Sequence, residues 1–357
     1  MKIIPYLKLA VDKQASDLYF TAGAPAMLKV HGEHYPVGRN VLDAEQVKDL
    51  IVELLTPEQQ QTLDKHLEID LATEAGGIGR FRVNVFNQRH KLGMVMRLIA
   101  NKIPTVEELR VPLVLKELME HRRGLILMVG ATGSGKSSTL AAMVGHRNEI
   151  KGGHILTIED PVEFSHPNMR AIVNQRELGL DTHSYMNALR SAVREAPDVV
   201  LIGECRDYDT MSACLQLAGT GHLVLTTLHA SNTYQACQRM VRMFQADERE
   251  QLFMDLGLNL RAIVAQRLVK ARTGGRVAAV EVMINTPYVA ELIQQGKFEE
   301  IRQAMADSSD RNIQTFDDSL IQLYKDGIIE REEALANADS RSQLETKLDF
   351  GSTHGAA

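Results

Sequence analysis

The hydrophobic pattern of the chain changes character near residue 100. Before that point, stretches with helical periodicity are mixed with stretches in which apolar and polar residues alternate, as expected of helices and half-buried strands. This mixture predicts a small α+β domain over residues 1–100. The predicted elements are helices at 4–14, 47–55 and 58–66, a hairpin of strands 26–30 and 35–37 around His31-Gly32, and a meander of strands at 68–73, 80–87 and 94–99.

From residue 113 onward, short apolar runs are separated by helical stretches or long loops. Near-continuous apolar strands of this kind belong to a parallel sheet covered on both faces, so an α/β domain is predicted over 113–290. A linker at 101–112, a helical region at 291–350 and a disordered tail at 351–357 complete the predicted organisation. The predicted strands are 125–129, 154–158, 199–202 and 223–228, and the predicted C-terminal helices are 288–295, 298–307, 316–325 and 330–337.

Composition narrows the class of protein. With 44% hydrophobic and 24% charged residues, the chain has the make-up of a soluble globular protein, and no stretch approaches the ~20 apolar residues of a membrane span. Residues 1–15 lack the features of a signal peptide. The three cysteines form no CxxC pair, which excludes a disulfide scaffold and a four-cysteine zinc site. We expect a cytoplasmic protein, or one held at a membrane by a partner, and the net charge of −6 disfavours nucleic acid as a partner.

The most specific motif is Gly-Ala-Thr-Gly-Ser-Gly-Lys-Ser at 130–137, between a predicted strand and a helix at 138–146. This order of strand, glycine-rich loop and helix start allows backbone N–H groups to surround a polyphosphate. Lys136 is expected to reach the β- and γ-phosphates, and Ser137 to ligate Mg²⁺. The motif therefore predicts a site for a nucleoside triphosphate. Its predicted contacts are Gly130, Thr132, Gly133, Ser134, Gly135, Lys136, Ser137 and Ser138.

Carboxylates follow two of the predicted strands. The run 196–204 ends in Glu204, which beside a phosphate loop is expected to face Mg²⁺ or its waters. Glu159, Asp160 and Glu163 lie within five residues directly after another strand, and one of them is a candidate to position and deprotonate the attacking water. The alternative interpretation of this segment is an acidic turn in solvent.

His222 and His229 bracket the predicted strand 223–228. Two histidines seven residues apart, without a third ligand, make a poor metal site, and either one alone is often structural. Ligands commonly bind at strand ends of a parallel sheet, so His229 and, less strongly, His222 are candidates for sensing the γ-phosphate or contacting a second subunit.

Arginines mark one face of the first domain. Strand alternation places Arg80, Arg82 and Asn84 on the face opposite Phe81 and its apolar neighbours, and a further arginine, Arg97, lies on the next predicted strand. Such a face is either solvated or, if it meets a nucleotide, able to stabilise charge in the transition state.

Together and in this order, the motifs resemble those of the secretion ATPase superfamily, and specifically the type IV pilus retraction ATPases of the PilT/PilU family. Residues 130–137 resemble its Walker A motif, 159–164 its aspartate box, 199–204 its Walker B motif and 220–230 its histidine box. The resemblance extends over nearly the whole chain. Further matching segments are 16–18, 173–177, 260–262, 266–268 and 316–327.

The resemblance implies a PAS-like N-terminal domain, a RecA-like P-loop ATPase core and a homohexameric ring that hydrolyses ATP with Mg²⁺. Nucleotide would lie between the two domains of a subunit, with Glu163 as the catalytic carboxylate and Glu204 acting mainly on Mg²⁺. Arg82 and Arg97 would reach the phosphates. The implied partners are a paralogous retraction ATPase and the inner-membrane pilus platform protein, which would hold this cytoplasmic protein at the membrane without insertion.

Departures from the family pattern indicate a subtype. The chain lacks the four-cysteine motif typical of pilus extension ATPases, which favours retraction. Ala290 and Gln294 stand where the main retraction motor has arginines, and Cys205 stands where Ile or Met is usual. These differences favour the accessory, PilU-like paralogue. The alternatives are a nucleotide-binding coupling subunit with little hydrolysis of its own and, less favoured, a nucleic-acid translocase or a GTPase.

Overall fold

The computed structural model describes residues 2–30, 32–74, 77–99 and 102–351, without the side chains of the last two. The chain divides into two compact units, Met1–Lys102 with Glu163–Ser165 and Ile103–Val162 with His166–Ala357. His31 of the predicted hairpin, the first residue of the predicted linker (Asn101) and all but the first residue of the predicted disordered tail lie outside the described residues.

The described part of the first unit contains three helices packed on an antiparallel sheet. Its strand order is β3-β2-β1-β6-β5-β4. The elements are α1 (Ile4–Asp12), β1 (Asp17–Thr21), β2 (Met27–Val30), β3 (Glu33–Pro36), α2 (Ala44–Val52), α3 (Pro57–His66), β4 (Glu68–Glu74), β5 (Arg80–Gln88) and β6 (Lys91–Leu98).

Local sequence explains most of these elements. Thr56 caps α3 with a reciprocal bond to Gln59, and a proline follows at the first helical position, which suits a helix start. Along β5 the apolar residues Phe81, Val83 and Val85 are fully buried, while the intervening polar residues are partly exposed. The alternation predicted for this strand is therefore observed.

One central strand of the first sheet is not predicted by the pattern. β1 pairs with both β2 and β6, so the predicted hairpin and the predicted meander are parts of one sheet. With only five residues, β1 carries too short an alternation to stand out locally. Its position depends on pairing between Asp17 and Arg97, which are distant in sequence.

The described part of the second unit is built on a seven-stranded sheet of order β13-β12-β7-β11-β10-β8-β9. Neighbouring strands from β12 to β9 are parallel, and β13 is antiparallel to β12 at the edge. The strands are β7 (Gly124–Val129), β8 (Gly153–Glu159), β9 (Ala171–Glu177), β10 (Val199–Ile202), β11 (Leu223–Leu228), β12 (Leu260–Lys270) and β13 (Arg276–Ile284).

The predicted strands of this unit appear as β7, β8, β10 and β11, whereas β9, β12 and β13 are additional. The sheet is therefore mixed rather than wholly parallel. β12 and β13 form a hairpin around Gly274-Gly275, with paired residues from Ala262 and Ile284 to Lys270 and Arg276. Two apolar runs separated by a glycine pair are a recognised hairpin signal.

Helices cover both faces of the second sheet, as the apolar strands predict. Along β7, Leu125, Leu127 and Val129 join one buried cluster and Ile126 and Met128 join another. The helices are α4 (Val114–Leu118), α5 (Lys136–Ile150), α6 (Tyr185–Glu195), α7 (Tyr208–Gly219), α8 (Thr233–Met243), α9 (Arg249–Asn259), α10 (Pro287–Gln294), α11 (Phe298–Ala306), α12 (Phe316–Lys325), α13 (Arg331–Asn337) and α14 (Arg341–Gly351), with a 3₁₀ turn at Ala246–Glu248.

The C-terminal helices α10 to α13 lie where the pattern predicts them, and α14 is an addition. Gly351, expected to be disordered, is instead the last residue of α14. The guanidinium of Arg267 on β12 lies 3.6 Å from the ring centre of Phe316 and donates to the Asn337 carbonyl, which attaches these helices to the sheet. None of the helices in the described ranges is long and apolar enough to cross a lipid bilayer.

Candidate active site

The loop at 130–137 joins β7 to α5 and adopts backbone conformations that require glycine. Gly133 and Gly135 have φ of 76° and 88°, in the left-handed region that disfavours other residues. A Cβ at Gly130 would lie 2.4 Å from the Gln266 carbonyl oxygen, so this glycine is also required for space. The loop therefore has the tight turns and close backbone approach expected of a phosphate cradle.

Two side chains of the loop indicate an anion site. The Lys136 ammonium donates to the carbonyls of Gly130 and Ala131, at 2.9 Å in each case, and so lies across the loop. The Ser134 hydroxyl is buried and has no hydrogen-bond partner. A buried unpaired hydroxyl is costly, and a phosphate oxygen is a partner that it is suited to bind. Exposed or partly exposed members of the predicted contact set are Thr132, Gly133, Gly135, Lys136, Ser137 and Ser138.

Glu204 and His229 meet at the same edge of the sheet. Glu204 follows β10 and His229 follows β11. The two strands are parallel neighbours in which Ile202 pairs with Thr226, and β11 extends two residues further, so both side chains lie at the carboxyl ends of their strands. The Thr227 hydroxyl donates to the Gly203 carbonyl at 2.7 Å and holds the segment after β10 in place.

The Glu204 carboxylate has two charged or polar neighbours. One oxygen lies 2.9 Å from His229 Nε2, and the other accepts from Arg206 Nε at 2.7 Å. The Glu204 side chain is 16% exposed, so its position is restrained without being closed to solvent. The sequence predicts both Glu204 and His229 as site residues, and only the structure shows that their side chains lie 2.9 Å apart.

The carboxylates after β8 lie near the same group through Tyr185 on α6. The Tyr185 hydroxyl lies 3.2 Å from the position that a Cβ would take on Gly203. Burial, together with the charges of Asp160, Glu204 and Glu159, raises the pKa of Tyr185 to about 12. The hydroxyl therefore keeps its proton near these three carboxylates.

Ser137 and Glu204 carry oxygens of the kind that could hold a magnesium ion beside a nucleotide. Hydroxyl and carboxylate oxygens are donors that Mg²⁺ accepts. In the part of the chain that the structure describes, no group of three or more His, Cys, Asp or Glu side chains is arranged to hold a metal. The remaining ligands of such an ion would then be phosphate and water oxygens, which is the usual arrangement for Mg²⁺ beside a nucleotide.

A cavity of about 450 Å³ adjoins the loop within the second unit. It shares Gly135, Ser138 and Thr139 with the loop and the start of α5, and Leu268 and Val111 supply apolar walls. Cavities of about 300–1,000 Å³ that combine apolar walls with a few polar groups are typical of small-molecule sites. The space is sufficient for a nucleoside attached to a phosphate in the loop.

The structure does not bring every predicted site residue to this edge. His222 precedes β11, so the length of that strand, about 20 Å, separates it from the edge that carries the loop. Its Nδ1 lies 3.1 Å from the Leu217 carbonyl, which gives it a structural contact. The structure therefore does not bring His222 to the loop of its own unit, and its role as a nucleotide or subunit contact stays a prediction.

The remaining candidates group with the first unit. Arg82 and Arg97 pair directly across β5 and β6, and Arg97 Nε donates to Asp17 at 2.8 Å. Glu163 is exposed and belongs to the short segment that groups with this unit.

Three residues of the site are missed by sequence reasoning: Arg206, Tyr185 and Gln266. Arg206 comes two residues after the Walker B-like run and has no motif of its own. Tyr185 begins a helix and has no pattern of its own. Gln266 interrupts an apolar run, and a polar residue in an otherwise buried strand is the signal that could have found it.

Comparison with known proteins agrees with this geometry. The profile of the Type II/IV secretion system protein family matches residues 3–335. Type IV pilus ATPase PilU of Pseudomonas aeruginosa is 47% identical over all 357 residues, covering 94% of that protein. Type IV pilus retractation ATPase PilT of the same organism is 41% identical, with 95% of this chain and 98% of that protein covered.

The fold agrees with a solved relative as well. The crystal structure of the pilus retraction motor PilT with bound ADP has a TM-score of 0.90 and 36% identity, covering 97% of this chain and 99% of that one. The α/β architecture with an N-terminal domain and the expectation of an ATPase are thereby confirmed. The chain belongs to the Type II/IV secretion system protein family and, within it, to the type IV pilus retraction ATPases.

Proposed function

We propose that the protein hydrolyses Mg²⁺-ATP as a subunit of a homohexameric ring that drives retraction of type IV pili. The observation that carries this proposal is the phosphate loop, whose buried Ser134 hydroxyl lacks a partner, at the sheet edge that also holds Glu204. Family membership supports the pilus function and the ring.

In this proposal the polyphosphate lies in the loop, against its backbone N–H groups. Lys136 exchanges its bonds to the loop carbonyls for oxygens of the β- and γ-phosphates, and the nucleoside occupies the adjoining cavity. Ser137 and Glu204 hold Mg²⁺, which when bound neutralises charge on the phosphates.

For turnover, we assign Glu163 as the base that takes a proton from the attacking water. His229, which lies 2.9 Å from Glu204, is the residue that responds to the γ-phosphate. Glu159 and Asp160 contribute to nucleotide binding. Thr157 and Gln175 donate to Glu159, which supports a fixed position for that carboxylate.

The two units take separate roles in this proposal. Residues 1–100 form a PAS-like domain whose Arg82 and Arg97 contribute positive charge to the transition state. Residues 101–112 are the linker, 113–290 the RecA-like core and 291–350 the helical region. The cationic residues paired across β5 and β6 support the role of the first domain.

The subtype and the partners follow from the departures at Ala290, Gln294 and Cys205. We propose the accessory retraction ATPase, which acts with a paralogous motor on an inner-membrane platform protein from the cytoplasmic side, without nucleic acid. The alternative is a coupling subunit that binds nucleotide and hydrolyses little.

The first experiment is steady-state ATP hydrolysis by the purified protein, with its mass determined in the same ATP-containing buffer. We expect turnover by a six-subunit species, loss of turnover with retained binding in Glu163→Gln, and loss of binding in Lys136→Ala. A ring that binds ATP without turnover would favour the coupling subunit. Normal hydrolysis by Glu163→Gln would refute the assignment of the base.

A further inference from the structure

Gln266 on β12 uses both ends of its side-chain amide on the phosphate loop and the helix that follows it. Its Nε2 donates to the Ser134 carbonyl at 2.8 Å, and its Oε1 accepts from the Thr139 hydroxyl at 2.8 Å. Gln266 is 3% exposed and Thr139 is 1% exposed. In such a dry environment, loss of either bond leaves a polar group without a partner.

The loop approaches both the side chain and the backbone of Gln266 closely. A Cβ at Gly135 would lie 2.7 Å from Gln266 Nε2, and one at Gly130 would lie 2.4 Å from the Gln266 carbonyl oxygen. The two glycines therefore allow β12 to approach both ends of the loop. Because there is not even room for a Cβ at these two positions, the loop cannot shift toward β12 without displacing Gln266.

The pairing of β12 with β7 in the sheet brings position 266 to the loop. β12 runs parallel to β7, and Ala265 pairs with Val129, the last residue before the loop. The residues that follow this pair are Gln266 and Gly130, which therefore lie side by side. The pairing spans 136 positions in the sequence, so no local pattern predicts it.

Bonding to the Ser134 carbonyl also orients the following N–H group. In a trans peptide the carbonyl of one residue and the N–H of the next point in opposite directions. Because the Ser134 carbonyl faces Gln266, the Gly135 N–H is directed away from β12. The bond thus fixes a backbone donor of the loop as well as a carbonyl.

We propose that Gln266 is a positioning residue, which holds the phosphate loop in the conformation that binds the nucleotide. Gln266 also lines the cavity beside the loop, and we assign its effect to its two bonds, to Ser134 and Thr139. This inference rests on the proposed nucleotide site at the loop and adds to it the group that maintains its shape.

The test compares Gln266→Met with Gln314→Met as a matched control. Gln314 also donates to a backbone carbonyl of this sheet, that of Val280, at 2.8 Å. For Gln266→Met we expect a rise of about tenfold in both the KM for ATP and the Kd for ADP, equivalent to about 1.4 kcal/mol, with kcat changed at most about threefold. For the control we expect a similar loss of thermal stability with KM and Kd within about twofold of wild type.

Thr139→Val is the second variant, because it removes one donor with little change of volume. We expect a rise of about threefold in KM and Kd. If Gln266→Met does not fold, this variant decides the question. A lowered melting temperature with unchanged KM and Kd, in whichever variants fold, would overturn the proposal and leave Gln266 a structural residue. Wild-type protein that binds no ADP would overturn the proposed site together with this inference.

Discussion

The two sheets carry their candidate chemistry in different ways. In the antiparallel sheet of the first unit, Arg82 and Arg97 lie opposite each other on neighbouring strands. In the second unit, Glu204 and His229 come from the segments that follow two parallel strands. An antiparallel sheet can leave one face in solvent, whereas a parallel sheet covered on both faces presents polar groups at its strand ends. The alternation of residues along the strands therefore places Arg82 and Arg97 on one face, whereas the order of the strands in the sheet places Glu204 beside His229.

The largest effect is expected at the strand ends. Glu204→Gln retains the size of the side chain and removes its charge, so His229 and the proposed Mg²⁺ would both lose their anionic partner. We expect kcat for ATP hydrolysis to fall by at least about 100-fold, with ADP binding in the absence of Mg²⁺ within a few-fold of wild type.

The matched control is Glu195→Gln, at the end of α6, whose carboxylate pairs with Arg176 at 3.2 Å and precedes β10 rather than following it. We expect its kcat to stay near that of wild type. Equal losses in the two variants would show that the position after the strand has no special role.

The next effect is on the pH dependence of stability, and it depends on His166, a buried residue of the second unit. Burial lowers the pKa of His166 to about 4, so between about pH 6.5 and 4 the unfolded chain binds a proton that the folded chain does not. Stability therefore falls as the pH falls through this window, by up to about 3 kcal/mol. Urea unfolding at pH 7 and 4.5 should show a smaller loss in His166→Leu than in wild type. The same pH dependence in both proteins would contradict this prediction.

The smallest effects distinguish the two arginines of the first sheet. Arg97→Met leaves the carboxylate of Asp17, which is 4% exposed, without its cation, and we expect a loss of about 1–2 kcal/mol in unfolding free energy. Arg82→Met removes a like charge directly opposite Arg97, so stability should be equal or slightly higher. We expect kcat to fall in both variants. Unchanged kcat in both would mean that the cationic face is only solvated.

Much of the second unit could be predicted because its signals are local. The apolar run of β7 and the glycines of the loop lie in one continuous segment, and their conformation is a property of those residues. β12 and β13 were missed although two apolar runs and Gly274-Gly275 indicate a hairpin. The five-residue β1 has no comparable signal, because its place in the sheet comes from pairing with distant strands.

Within the candidate site, the sequence can indicate individual residues but not which of them contact each other. Glu204 and His229 could each be selected by motif, but the 2.9 Å contact of their side chains depends on the neighbouring positions of β10 and β11. Tyr185 and Gln266 could not be selected for a role, because what they contact comes from elsewhere in the chain. His222 was selected by its nearness to the same strand, and the direction of that strand places it at the other edge.

The sequence by itself determined the phosphate loop, the buried strands beside it and the class of nucleotide chemistry, because these depend on glycine conformation and on apolar runs within short segments. Only the tertiary structure decided the strand order, the close contact between Glu204 and His229, and the contact of Gln266 with the loop. Each of these joins residues that are far apart in sequence, and hydrogen-bond pairing between strands is what brings them within 3 Å of each other.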